Sequence, residues 1–420
     1  MPDSIPLIII ALASFGLLSV IFEEVIHINK AQSVLFFGTL SWLLLFIFST
    51  PNLEQHHKII DGLYENIGEI AGLWLFLLAA MTFVVYLNKK GLIESIIYRF
   101  LPEEVKERNL LAFIALFAFL FSSLADNITA TLISVALILS LNMPTAKTIR
   151  FAAVTVFAVN SGGVSMITGD VTTLMIFLNG KASIIDLLFL AIPSLSAVIV
   201  LTFIMGFSLK ETIQIPRNAD THEPVDVAIA LVFVLTIFST ILFNILFDIP
   251  PVLSFLFGLS IMFLIAKAFG EDTQNSPILN YIRQIEFDTL LFFLGILLLV
   301  GALKEIQALS SFITVYELLP TWLANYVMGL LSAVIDNVPL TAALLKSDVV
   351  MNTSQWLTLT YAVGVGGSLL IIGSAAGIVA MSKIKGLTFL IYLKYFFALL
   401  LAYSVGFSGV MLLGEFLNLS

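Results

Sequence analysis

The sequence predicts an all-α integral membrane protein, an inverted repeat of two five-crossing halves, each with one re-entrant hairpin and one broken helix. Three observations carry that prediction. Of the 420 residues, 60% are apolar and only 11% charged, too little polar surface to cover a water-soluble fold of this length. Long apolar runs recur from end to end. Two polar, glycine- or Asp-Asn-bearing motifs each occur once per half, in the same order.

No hydrophilic stretch is large enough for a separate soluble domain, the longest polar connections being 50–67, 88–109, 210–226 and 270–286. The lipid bilayer is therefore the solvent of a single membrane domain. The absence of cysteine excludes disulfides, thiolate metal sites and thiol catalysis. A net charge of −9 without a basic patch speaks against nucleic acid. The first apolar run, Ile5 to Phe22, follows Pro2 and Asp3 without Lys or Arg and lacks a small-residue cleavage site. It reads as a retained span, and with no Arg-rich transit peptide the expected location is a bacterial inner membrane.

A bilayer core takes about 20 apolar residues in a helix. Spans are predicted near 5–22, 32–49, 68–87, 149–178, 184–208, 226–247, 251–268, 286–304, 354–381 and 387–411. Segments 110–141 and 321–345 fit poorly, because Asp126-Asn127 and Asp336-Asn337 interrupt them centrally. The arm from Leu110 to Leu124 reaches only about 22 Å at the helical rise of about 1.5 Å per residue. A re-entrant hairpin that starts and ends on one face is more economical than two short crossings.

With the N-terminus outside, the inner loops carry Lys30; Lys89, Lys90, Arg99, Lys106, Arg108, Lys147 and Arg150; Lys210 and Arg217; Lys267 and Arg283; and Lys383 and Lys385. The outer loops hold Lys58, Lys181, Lys304 and Lys346, and Lys394 falls inside the last span, where it is expected to snorkel. The positive-inside rule thus puts both termini in the periplasm.

SSLADNITAT (122–131) recurs as SAVIDNVPLT (332–341), and NSGGVSMITGDVTT (160–173) as GVGGSLLIIGSAAG (364–377). An odd number of crossings per half sets the copies in opposite senses, the arrangement of many secondary transporters. Residues 1–215 form the first repeat, with hairpin 110–141 and broken helix 149–178. Residues 216–420 form the second, with hairpin 321–345 and broken helix 354–381.

Gly162-Gly163 and Gly366-Gly367 should interrupt the broken helices, which restart after Gly169-Asp170 and Gly373-Ser374, since Gly ends helices and Asp or Ser begins them. Unwound backbone is tolerated at that depth only where it lines a cavity. The side chains delivered there are Asp126, Asn127, Asn160, Ser161, Asp170, Thr172 and Thr173 from the first half, and Ser332, Asp336, Asn337, Ser368 and Ser374 from the second. No Lys or Arg is expected among them, so the site reads as one for a hard cation.

The competing reading of the Asp-Asn pairs is plain helix capping, which Pro339 supports locally. Intramembrane acids default to function, and capping and ion binding can coexist. Asp170 corresponds to Ser374, so the halves are chemically unequal there. Glu69 and Asp288, each placed at the start of its half's third crossing, are candidates for an ion pathway or for solvated helix ends. His27, His56, His57 and His222 fall in predicted loops without metal-ligand spacing and read as solvated.

The four motifs resemble those of NhaD-type sodium/proton antiporters, within the wider ion-transporter superfamily that includes dicarboxylate and arsenite carriers. The resemblance implies a homodimer, two re-entrant hairpins, two broken helices and an ion site at Asp126-Asn127, Asp336-Asn337, Asn160, Asp170, Thr172 and Thr173, joined by Ser332, Ser368 and Ser374. It implies exchange of sodium, or of lithium, for protons, with the ion as substrate and no cofactor. An intramembrane carboxyl group can hold a proton or a cation in turn, so competition at one site combined with alternating access yields exchange. No phosphate-binding loop is present, so the proton gradient drives the cycle. The alternative is a sodium-coupled dicarboxylate or an arsenite carrier of the same superfamily, against which the missing Lys and Arg argue. An intramembrane aspartyl protease built on Asp126, Asp170 or Asp336 lacks its paired Tyr-Asp span.

Overall fold

Backbone N–H and C=O groups in a bilayer must find partners inside the chain, and helices provide them segment by segment. The computed structural model describes residues 4–21, 28–50, 53–92, 95, 103–215, 223–269, 282–283, 285 and 287–416. The expectations for His27, Arg99, Arg217, His222 and the end of the first span at Phe22 lie outside these residues.

The helices are α1 (Ser4–Ile21), α2 (Lys30–Ser49), α3 (Leu53–Lys89), α4 (Glu107–Leu124), α5 (Asn127–Ser140), α6 (Thr145–Gly163), α7 (Val171–Leu178), α8 (Ile184–Phe189) and α9 (Ala191–Gly206). They continue with α10 (Pro224–Phe247), α11 (Pro251–Ala268), α12 (Phe287–Glu305), α13 (Ser311–Leu318), α14 (Thr321–Ser332), α15 (Asn337–Leu345), α16 (Thr353–Gly366), α17 (Ala375–Lys383), α18 (Phe389–Tyr392) and α19 (Phe396–Phe416). Eight helical segments among the described residues are long and apolar enough to cross a membrane. The protein is an all-α, multi-pass membrane protein, and among the described residues one small sheet pairs β1 (Glu104–Lys106) antiparallel with β2 (Thr212–Gln214).

The polar connection expected at 50–67 is instead the first turns of α3. Its apolar residues Ile59, Leu63, Ile67 and Ile70 recur at helical spacing, and Ile59, Asn66 and Ile70 are buried. His56 and His57 therefore lie on a helix, His56 within 2.8 Å of the Ser49 hydroxyl. Glu69 sits well inside α3 rather than at a span start. The predicted span 184–208 is divided between α8 and α9, and Lys394 lies exposed in a 3-10 turn before α19.

Two packed groups emerge. One contains α1, α2, α3, α10, α11 and α12, in which α2 lies along α12. The other contains α4 to α9, α14 to α17 and α19. Within the second group the partners are exchanged between the chain's halves, since α7 packs against α15 and α17 against α5.

The mouth of the α4–α5 hairpin is closed by ion pairs. Lys147, at the start of α6, bonds Glu107 at the start of α4 (2.5 Å) and Glu211 beside β2 (2.7 Å). At the α14–α15 hairpin, Asn325 in α14 donates to the Gln355 carbonyl at the start of α16 (2.9 Å). The unit α6–α7 and the unit α16–α17 run antiparallel. Lys181, beyond the end of α7, lies over the Trp356 ring at the start of α16, and Gly386, beyond α17, abuts Thr145 at the start of α6.

Gly162 and Gly366 lie in the last turns of α6 and α16, directly against the hairpin backbones. A β-carbon on Gly162 would overlap the Phe119 carbonyl, and one on Gly366 the Gly329 carbonyl. Backbone cannot swing aside as a side-chain tip can, so Gly162→Ala and Gly366→Ala should each destabilise the detergent-solubilised protein by about 1–3 kcal/mol, the usual scale of overpacking. Gly68→Ala, whose added methyl meets nothing within 4 Å, should not lower the melting temperature. Wild-type melting of both hairpin-facing variants would refute the close-approach argument.

Candidate functional site

Four helices begin around one cavity. It has a volume of about 80 Å³ and is lined by the first residues of α5 (Asn127, Ile128), α7 (Asp170, Val171), α15 (Asp336, Asn337, Val338) and α17 (Ser374, Ala375). Asn160 of α6 and Thr289, Phe292 and Phe293 of α12 complete the wall, together with Lys30 of α2. Each of the four N-termini is capped by its own side chain. Asp126 accepts from the Thr129 N–H (2.8 Å), Asp170 from the Thr172 N–H (2.9 Å), Asp336 from the Val338 N–H (3.1 Å) and Ser374 from the Gly377 N–H (3.3 Å). Capping is thus real at all four positions.

Asp170 does more than cap. Its Oδ2 accepts from the Asn127 amide (3.0 Å) and from the Asn337 amide (3.1 Å). One oxygen thereby gathers both hairpin tips. The Ser122 hydroxyl donates to Asn127 Oδ1 (2.7 Å), which leaves the Asn127 NH2 to face Asp170. Asp336 lines the same cavity as Asp170.

The other polar cluster joins Asn160, which donates to the Val156 carbonyl (2.9 Å) and to Ser374 Oγ (3.1 Å). Asn160 is fully buried, yet its Oδ1 has no hydrogen-bond partner among the described residues, and neither has the hydroxyl of Ser161. An unpartnered buried oxygen calls for an explanation. Asn160 lines the cavity, so its oxygen is available to a group bound there.

Of the sequence-predicted residues, Asn127, Asn160, Asp170, Asp336, Asn337 and Ser374 line the cavity. Asp126 does not. Its carboxylate is taken up by the Thr129 N–H and by the Thr129 hydroxyl (2.7 Å). Thr172 and Thr173 are buried in the first turn of α7, Ser332 donates to the Val363 carbonyl (2.7 Å), and Ser368 donates to the Val365 carbonyl (2.6 Å). These support the breaks from behind.

Glu69 lies elsewhere, ion-paired with Lys346 (2.7 Å) in a second cavity of about 240 Å³ at the far ends of α7 and α15. Asp288 is exposed and accepts from the Asn29 amide (3.0 Å) at the start of α2. The expectation that no Lys or Arg reaches the site is corrected by Lys30. It opens α2 at the edge of a span, where a sequence shows only a loop charge and not the direction of its long stem.

The family model described as citrate transporter matches residues 3–366. The chain is 31% identical to the Na(+)/H(+) antiporter NhaD of Vibrio cholerae, over 92% of this chain and 87% of that one. It is 31% identical to the protein of the same name from Vibrio parahaemolyticus (90% and 98%) and 30% identical to that of Alkalimonas amylolytica (89% and 83%).

Asp170→Asn keeps an oxygen for the Thr172 N–H but turns an NH2 toward two amide donors. An orphaned buried polar group costs about 1–3 kcal/mol, so the variant should melt at a lower temperature. Sodium chloride, measured against choline chloride, should stabilise the wild type by mass action and fail to stabilise Asp170→Asn. Ser374→Ala, which removes one neutral oxygen, should retain a weakened sodium response. An undiminished response in Asp170→Asn would reduce Asp170 to a helix cap.

Proposed function

The chain belongs to the citrate-transporter family and, within it, to the NhaD-type sodium/proton antiporters, and we propose that it exchanges sodium, or lithium in its place, for protons across a bacterial inner membrane. The observation that carries the reading is the pairing of two carboxylates, Asp170 and Asp336, with the amides Asn127, Asn160 and Asn337 around one cavity. Oxygen ligands of this kind suit a hard monovalent cation. A proton and a cation compete for the same carboxylates, so the site crosses with one or the other.

Alternating access requires a site between bodies that can move relative to one another. The cavity lies between α2 and α12 of one packed group and the hairpins and broken helices of the other. We take residues 1–215 and 216–420 as the inverted repeats, a reading supported by the antiparallel broken helices and by the exchanged packing of α7 with α15 and α17 with α5. Asp126, Thr172, Thr173, Ser161, Ser332 and Ser368 hold the site's backbone, and Glu69 and Asp288 stand on routes toward it. The superfamily resemblance adds a homodimer. Transport of this kind makes no covalent bond and needs no cofactor.

A second reading, an anion carrier, draws on the name of the family model and on Lys30. One ammonium facing two carboxylates leaves a cation-attracting wall, which disfavours it.

In proteoliposomes acidified inside and loaded with a pH-sensitive dye, sodium should release protons and restore fluorescence. Citrate, succinate and arsenite should not. Response to any of these anions in the absence of sodium would overturn the exchange reading. The orientation is checked separately in this cysteine-free chain. Lys181→Cys should react with an impermeant maleimide from the periplasmic side and Lys210→Cys only from the cytoplasmic side.

A further inference from the structure

We infer that Lys30 is a fixed counter-charge of the cavity that weakens cation binding from the face on which α2 begins. The inference rests on the exchange reading and concerns a residue outside the motifs that carry it. Lys30 is the first residue of α2, where an ammonium opposes the helix dipole and no acidic residue of the first turn offsets it.

Its root is held firmly. The Asn29 side chain caps α2 through the Ala31 N–H (2.8 Å) and donates to Asp288 of α12. The Nζ lies 5.0 Å from the centroid of the Phe292 ring, one turn further along α12, a cation–π contact that directs the stem along α12 and into the cavity. There it lines the same cavity as Asp336 of the α14–α15 hairpin and Asp170 of α7.

The charge and the acids stand on different bodies. Lys30 belongs to the group of α1, α2 and α12, whereas Asp170 and Asp336 belong to the group of hairpins and broken helices. When the acids face the start of α2, an arriving cation meets the ammonium as well. When they face the Glu69–Lys346 cavity, it does not meet Lys30. The consequence is a lower sodium affinity on the Lys30 face than on the other, which sets the sodium concentration at which exchange begins from that side.

The test is sodium-driven proton movement in proteoliposomes of defined orientation, with the KM for sodium measured separately on each face. Lys30→Gln should lower the KM on the Lys30 face by roughly tenfold, the scale of one unit charge at an effective dielectric near 20 across a small cavity. The opposite face should keep its KM. Lys30→Arg, which retains the charge, should stay within about twofold of wild type. If Lys30→Gln is not monodisperse, Lys30→Met replaces it with the same expected outcomes.

An unchanged or raised KM on the Lys30 face, or equal changes with Gln and Arg, would overturn the inference. Equilibrium binding of radioactive sodium to the solubilised protein runs alongside. Wild-type binding without exchange would defeat the antiport reading while the ratio of Lys30→Gln to wild-type affinity still tested Lys30, and an absence of wild-type binding would overturn both.

Discussion

A single carboxylate oxygen, Oδ2 of Asp170, holds the centre of the molecule together by accepting from Asn127 of one hairpin and Asn337 of the other. Its position answers an electrostatic problem. Four helices start around the cavity, and helix N-termini carry partial positive charge that repels a cation. Three of the four caps are aspartates, each of which satisfies a first-turn N–H, and two of them, Asp170 and Asp336, line the cavity. The acids are therefore not an alternative to capping. An acid at a helix N-terminus offsets the partial positive charge there, and the breaks in the two helices bring α7 and α17 to the cavity shared with α5 and α15.

The fourth cap breaks the pattern, and the surroundings change with it. Ser374 receives a hydrogen bond from Asn160. In the aligned motifs Asn160 corresponds to Gly364 and Ser374 to Asp170, and a β-carbon on Gly364 would stand 3.8 Å from Asp170 Oδ2. One side of the site is an amide facing a hydroxyl, the other a glycine facing a carboxylate. A β-carbon on Gly364 would first overlap the Val164 side chain, so this position is closed to larger residues by Val164 rather than by Asp170. The halves are unequal at this cap, while the two carboxylates that line the cavity come one from each half, Asp170 from the first and Asp336 from the second.

Much of this was legible in the sequence because breaks and caps are local features. Gly169-Asp170 and Gly373-Ser374 restart α7 and α17 as their residue types require, and Asp126-Asn127 and Asp336-Asn337 open α5 and α15. Side-chain direction was not legible. Asp126 and Asp336 share a motif, yet only Asp336 lines the cavity, because the Thr129 hydroxyl takes up the second oxygen of Asp126 and the corresponding residue, Pro339, has none to offer. Lys30 was hidden for the same reason, since charge counting assigns a residue to a side and says nothing of its depth. The helical start of α3 was missed because its polar residues conceal a spacing that buries only Ile59, Asn66 and Ile70.

The two cavities lie at opposite ends of one pair of short helices. α7 and α15 begin at the central cavity with Asp170 and Asp336 and end at the second cavity with Asn179 and Lys346. Each is only two turns long, about 13 Å at the helical rise, and α7 and α15 thus span the distance between the two cavities. The Glu69–Lys346 ion pair ties the end of α15 to α3, across the boundary between the two packed groups. Opening that face requires parting the ion pair and moving α7 and α15 away from α3, while their caps, which are internal to each helix, stay intact. The Asn127–Asp170 and Asn337–Asp170 bonds, by contrast, tie α7 to the tips of both hairpins, so the starts of α5, α7 and α15 are joined into one unit.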